Sequence, residues 1–180
     1  MTIPLPHTSS QPDLFPLLPK TPLPPALSPY AQQTIRRAIK LLERQLREPG
    51  VPFFSASATR DWLRLSLAGQ ERELFVVLFL DNQHRLIAHE PLFSGTLSCT
   101  SVYPREVVKS ALQHNAAAVI LAHSHPSGYA EPSKQDRHIT TRLQQALALV
   151  DMNVLDHFII GGRNIVSFAE RGLLSGEIAT

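Results

Sequence analysis

Two histidines one residue apart, with an aspartate further on, form the arrangement in this sequence best suited to chemistry. They are His123, His125 and Asp136, in the stretch Ala122–Asp136, AHSHPSGYAEPSKQD. Residues two apart on a β-strand project to the same side, so both imidazoles can converge on one point at a strand end. Pro126, Ser127 and Gly128 then turn the chain, and Ser133 stands three residues before Asp136 as a natural helix N-cap. A loop of this length can fold the first helical turn back over the strand end and bring the Asp136 carboxylate to the imidazoles. Two neutral imidazoles and one carboxylate suit a borderline divalent cation, zinc above all. Three protein ligands leave a fourth tetrahedral position for water, the pattern of a catalytic rather than a structural site. A metal held there lowers the pKa of bound water towards neutrality. Singly these features are weak, since histidines are common at strand ends and Ser133-x-x-Asp136 is a capping-box variant in its own right. Their conjunction is what points to a metal.

The elements that must position these residues follow from apolar periodicity. A first helix is predicted from Ser28-Pro29 to the stop at Pro49-Gly50, with Ile35, Ala38, Ile39, Leu42 and Leu46 on one stripe. Its other face carries Arg36, Arg37, Lys40, Arg44 and Arg47, interleaved with Glu43 and Glu48, and reads as solvated. A second helix runs over 57–68 with Ala58, Trp62 and Leu65 inward. Residues 73–80, ELFVVLFL, read as a strand buried on both faces, followed by a turn at Asp81-Asn82-Gln83 and a partner strand over 84–92. Pro104 opens a helix to His114 with Val107, Val108, Ala111 and Leu112 facing the sheet. Residues 117–123 form a central strand, 133–150 an amphipathic helix, and 153–160 with 164–168 a hairpin around Gly161-Gly162.

Composition sets the limits. A chain of 180 residues, 43% hydrophobic and 18% charged, has a globular balance rather than that of a disordered chain. Its longest apolar runs, 74–80 and 116–122, are too short to cross a bilayer, and the N-terminus lacks the basic and apolar regions of a signal peptide. The single cysteine, Cys99, excludes a disulfide scaffold and a cysteine-built zinc finger, and reads as a small buried hydrophobe. It also excludes the zinc deaminases of nucleobases, whose signature needs a PCxxC segment. The net charge of +2 argues only weakly for a nucleic-acid partner. Nine of the fifteen prolines lie between Pro4 and Pro29, which predicts an extended or mobile arm. His7, His84, His89, His114 and His138 lack converging partners in the pattern.

With His123-x-His125-Pro126, Ser133 and Asp136 in place, the chain resembles the JAMM (JAB/MPN) metalloproteases. The words ELFVVLFLDNQHRLI at 73–87, LFSGT at 92–96, VYPREVVKSAL at 102–112, AAAVILAHSHPSG at 116–128, LDHFIIGG at 155–162 and SFAERGLL at 167–174 resemble their bacterial RadC branch. The likeness covers about 70–174 and implies a deaminase-like α/β fold, a mixed central sheet flanked by helices, with zinc on His123, His125 and Asp136. It divides the chain into an arm (1–27), a helical extension (28–69) and the RadC-like domain (70–176). It assigns Glu73, ahead of the first core strand, as the base that takes a proton from the zinc water, with Glu71 and Glu90 as competitors. Ser133 matches the serine that steadies the oxyanion, a role that competes with helix capping for its one hydroxyl. His157 matches the RadC pattern as a packed or supporting histidine, not a ligand. The implied activity is cytoplasmic hydrolysis of a peptide or isopeptide bond in a protein substrate; the alternative is a DNA-repair-associated accessory protein with a non-catalytic metal site. Longer RadC proteins carry a helix-hairpin-helix module ahead of this domain, and no such glycine hairpin precedes residue 70. A monomer and a homodimer are both open.

The arm lacks the periodic apolar residues a core requires. A truncation beginning at Ser28 is therefore expected to melt within a few degrees of the full chain. A collapse of its melting temperature would mean that the arm docks on the core or on a second copy.

Overall fold

The computed structural model describes residues 27–47, 56–67, 70, 72–95 and 101–174. The proline-rich arm, His7, Glu71 and Cys99 lie outside them, as does the side chain of Ala58. The described chain is a mixed α/β structure. Its elements are α1 (Pro29–Arg47), α2 (Ala56–Leu67), β1 (Leu74–Leu80), β2 (Leu86–Ser94), α3 (Pro104–Gln113), β3 (Ala118–Ser124), α4 (Lys134–Ala148), β4 (Asn153–Gly161) and β5 (Asn164–Ser167). The strands form one sheet in the order β2-β1-β3-β4-β5. β3 and β4 are parallel and joined through α4, while the other neighbours are antiparallel.

Both faces of the sheet are covered, which explains the unbroken apolar runs of β1 and β3. On one face Val76, Leu78 and Leu80 meet Leu46 of α1 and Trp62, Leu63 and Leu67 of α2. On the other, Phe75, Val77, Phe79, Val119 and Leu121 meet Val107 and Ala111 of α3 and Leu143 and Leu147 of α4. The helices preceding residue 70 thus close one side of the core.

Several expectations change in detail. The buried side of α2 is Thr59, Trp62, Leu63 and Leu67, with Leu65 only half-buried. That side follows i, i+3, i+4, i+8 spacing from Thr59 and leaves Leu65 on its flank, while the Trp62 indole N–H donates to Glu43 of α1 at 3.3 Å. Glu43 is therefore not on a solvated face: it also lies 3.0 Å from His89 Nε2 and ties α1 to β2. Leu112, expected to face the sheet, is 55% exposed. β2 starts at Leu86 rather than His84, because the turn runs on through His84, whose φ is +58°. The Asp81 carboxylate accepts the main-chain N–H groups of Gln83 and Arg85 there and delays strand pairing. No described helix is long and apolar enough to cross a membrane.

Glu90 of β2 is bound to α3, accepting from the Ser110 hydroxyl at 2.5 Å and lying 2.7 Å from His114 Nε2. These hydrogen bonds, Ser110 first, outweigh burial and hold its carboxyl below the usual value. A carboxyl with a lower pKa in the folded state adds stability above its unfolded pKa and loses it as pH falls through the folded value. Glu90→Gln is expected to cost on the order of 1 kcal/mol at pH 7, discounted for partial exposure. In urea titrations the gap to wild type should close below about pH 4. A gap constant from pH 7 to 3 would contradict this.

Candidate metal centre

Sheet topology brings the site together at one edge. β3 ends in His123 and Ser124, and its antiparallel neighbour β1 begins there, with Phe75 opposite His123. The Leu74 N–H donates to the Ser124 hydroxyl oxygen at 3.1 Å, so Glu73 is held at the end of β3 despite its distance in sequence. The parallel β3–β4 crossover places the start of α4 at the same edge. Ser133 caps α4: its hydroxyl oxygen accepts the Asp136 N–H at 3.1 Å, and Asp136 Oδ2 accepts the Ser133 N–H at 2.7 Å. That reciprocal pair fixes the Asp136 carboxylate beside the histidines.

The His125 loop is anchored from below. Its N–H donates to the Ile160 carbonyl at 2.7 Å, and the loop passes so close to β4 that a Cβ on Gly161 would lie 2.4 Å from the nitrogen of Ala130. Only glycine leaves room for that approach.

Ligand atoms of Glu73, His123 and His125 all lie within 4.8 Å of one another. His123 Nε2 is 2.8 Å from His125 Nε2 and 3.1 Å from Asp136 Oδ1, and His125 Nε2 is 3.6 Å from Asp136 Oδ2. Ligands about 2.0–2.1 Å from a tetrahedral ion stand roughly 3.3–3.4 Å apart, a value these distances bracket.

The hydrogen-bond directions reinforce the fit. Thr140 Oγ1 donates to the Asp136 carbonyl at 2.6 Å, so at its other contact, 2.6 Å from His157 Nδ1, it accepts. His157 Nδ1 therefore carries the hydrogen. Burial pushes the His157 pKa well below its ordinary value, and a proton on His123 would act in the same sense, so the ring stays neutral and its Nε2 is bare. That nitrogen accepts from His123 Nδ1 at 2.9 Å, which turns a bare His123 Nε2 towards the site. His125 Nδ1 donates to the Tyr129 carbonyl at 2.7 Å and likewise leaves Nε2 bare. Three acceptors then meet with no hydrogen of their own between them. A cation, either a proton or a metal ion, must occupy the meeting point. Burial opposes charge on Asp136, yet with a proton rather than a metal at the meeting point the His123 hydrogen bond and charge, together with the Ser133 hydrogen bonds, hold its carboxyl well below the usual carboxylate range.

These residues face a cleft of about 610 Å³. Residues 53–173 match the RadC-like JAB domain family. The chain belongs to the RadC-like JAB family. The UPF0758 protein YfjY of Escherichia coli strain K12 is 60% identical over 158 residues, which cover 88% of this chain and 97% of that protein. UPF0758 protein YeeS of the same strain is 60% identical over 148 residues, covering 82% and 100%. A UPF0758 protein of Leptothrix cholodnii is 57% identical over 152 residues, covering 84% and 68%. The family match starts before residue 70 and takes in α2.

In this RadC-like domain the structure brings Glu73, His123, His125, Ser133 and Asp136 to one cleft. Glu90 is not with them, being bound to Ser110 and His114. His89 and His114, expected to lack partners, pair with Glu43 and Glu90, because α1 packs Glu43 against His89 of β2 and β2 sets Glu90 against His114 at the end of α3. The two roles of Ser133 do not compete, because capping uses an oxygen lone pair and leaves the hydroxyl hydrogen to donate. Thr140 and Ser124 escaped the sequence reading. The signals were there: Thr140 is four residues after Asp136 on one helix face, and Ser124 alternates between the histidines.

Thr140→Val removes the acceptor that sets the His157 ring and should lower divalent-metal affinity about 10–100-fold, whereas Thr140→Ser should restore it. Chelator competition on folded protein measures both. Valine binding metal as tightly as wild type would break the directional argument.

Proposed function

We propose that this RadC-like protein is a zinc-dependent hydrolase of peptide or isopeptide bonds, zinc supplying the Lewis acid that polarises the carbonyl and lowers the pKa of its coordinated water. The observation that carries this reading is the convergence of two bare imidazole nitrogens and the Asp136 carboxylate beside a further carboxylate, Glu73, in one cleft. His123, His125 and Asp136 would hold the ion. Asp136 is preferred to Glu73 as the third ligand because its oxygens lie 3.1 and 3.6 Å from the imidazoles and its capping box fixes them. Glu73 would take the proton of the attacking water and deliver it to the leaving amine. The Ser133 hydroxyl hydrogen, unused in capping, would donate to the oxyanion as it forms. The single cysteine, which leaves no disulfide within the chain, favours a cytoplasmic setting.

Purified protein is expected to hold one zinc per chain, and the double variant His123→Ala/His125→Ala none. Glu73→Gln should keep zinc but lower cleavage in a broad peptide screen by about two to four powers of ten. Asp136→Asn should instead lose zinc affinity, because it weakens a ligand. Stoichiometric zinc in the histidine double variant would overturn the site. Full cleavage by Glu73→Gln would remove Glu73 as the base.

A further inference from the structure

We propose that the α4 wall of the cleft selects peptides with acidic side chains within about three residues of the bond to be cut; this rests on the hydrolase reading and names its substrate class. Lys134, His138 and Arg142 recur every four residues on α4 and all line the cleft. At 1.5 Å per residue the stripe is about 12 Å long, so it runs beside three or four residues of an extended chain. All three side chains are exposed, and among the described residues none makes an ion pair or hydrogen bond.

Along α4 beyond Asp136 the charge lining the cleft is of one sign. The cleft's carboxylates, Glu73 and Asp136, sit at the metal end, and Asp136 is already bound to His123 and Ser133. Arg142 stands six residues further along the helix, about 9 Å from Asp136 along the axis, and has no carboxylate of its own. Lys134 opens the stripe beside the metal end and His138 and Arg142 carry it away from there, so two cations and a ring N–H donor line one wall of the cleft. Such a wall attracts a chain of carboxylates and disfavours one of lysines and arginines. Arg142, with its planar fork, can grip one carboxylate through two hydrogen bonds.

The test measures binding, so that it stands apart from catalysis. Three amidated ten-residue peptides in a glycine-alanine background are titrated into zinc-loaded protein at low salt, carrying three Glu, three Gln or three Lys. A Gln peptide with a free carboxyl terminus and a ten-nucleotide thymidine strand complete the set. Wild type should bind the Glu peptide at least about five-fold more tightly than the amidated Gln peptide, and the Lys peptide least. The double variant Lys134→Gln/Arg142→Gln should lose that preference with its zinc content and melting temperature unchanged. Equal binding of Glu and amidated Gln peptides, or a preference that survives the double variant, overturns the proposal. So does a free-terminus Gln peptide that matches the Glu peptide, which would assign the wall to a chain end. Tighter binding of the thymidine strand, lost in the double variant, would make the wall a phosphate site. If the Glu preference holds while a broad screen of peptide and isopeptide substrates shows no zinc-dependent cleavage, the hydrolase reading fails and acidic-peptide recognition stands.

Discussion

The direction of a single hydrogen bond, from the Thr140 hydroxyl to the Asp136 carbonyl, decides the chemistry of the whole centre. A carbonyl has no hydrogen to give, so the threonine must accept from His157, His157 must accept from His123, and the His123 lone pair must face the cleft. Each step follows from the one before it as long as the threonine hydrogen lies on the carbonyl. The line is buried, where an unmatched donor or acceptor costs about 1–3 kcal/mol, so its members can reverse only together, and the reversed line would put a hydrogen on His123 Nε2 and close that nitrogen to a metal. Asp136 stands at both ends: its carbonyl starts the line, and its carboxylate meets the nitrogen that the line prepares.

The fold exists around this edge in a definite way. An antiparallel pair brings Glu73 beside the end of β3, and a parallel crossover brings the start of α4 to the same end. Neither arrangement alone would gather both carboxylates around the histidines. Helices α1 and α2 on one face and α3 and α4 on the other keep water from the strands, so the polar groups at the rim sit on a rigid, dry support. His123 itself is stacked on Phe75, with ring centroids 5.9 Å apart.

Much of this was legible in the sequence because local rules coincide there. The HxH pair needed only strand alternation, the Ser133–Asp136 box only helix capping, and the buried strands only their apolar runs. What escaped was set by tertiary contacts. Glu43 looks solvated on a basic helix face until Trp62 and His89 are packed against it. His114 looks unpartnered until β2 places Glu90 next to it. Thr140 looks like either of two adjacent helical threonines, since only the position of His157 on β4 gives its hydroxyl a second partner. Which of Glu73 and Glu90 lies in the cleft likewise turned on pairing register, because both flank or lie in strands adjoining the core.

The central claim concerns where protons sit on three rings, and long-range proton–nitrogen NMR of the zinc-loaded protein with labelled histidine reads them directly. His123, His125 and His157 should each carry hydrogen on Nδ1, with bare Nε2 atoms, those of His123 and His125 shifted as metal ligands and that of His157 not. A His157 protonated on Nε2, or a His123 that binds zinc through Nδ1, would contradict the account.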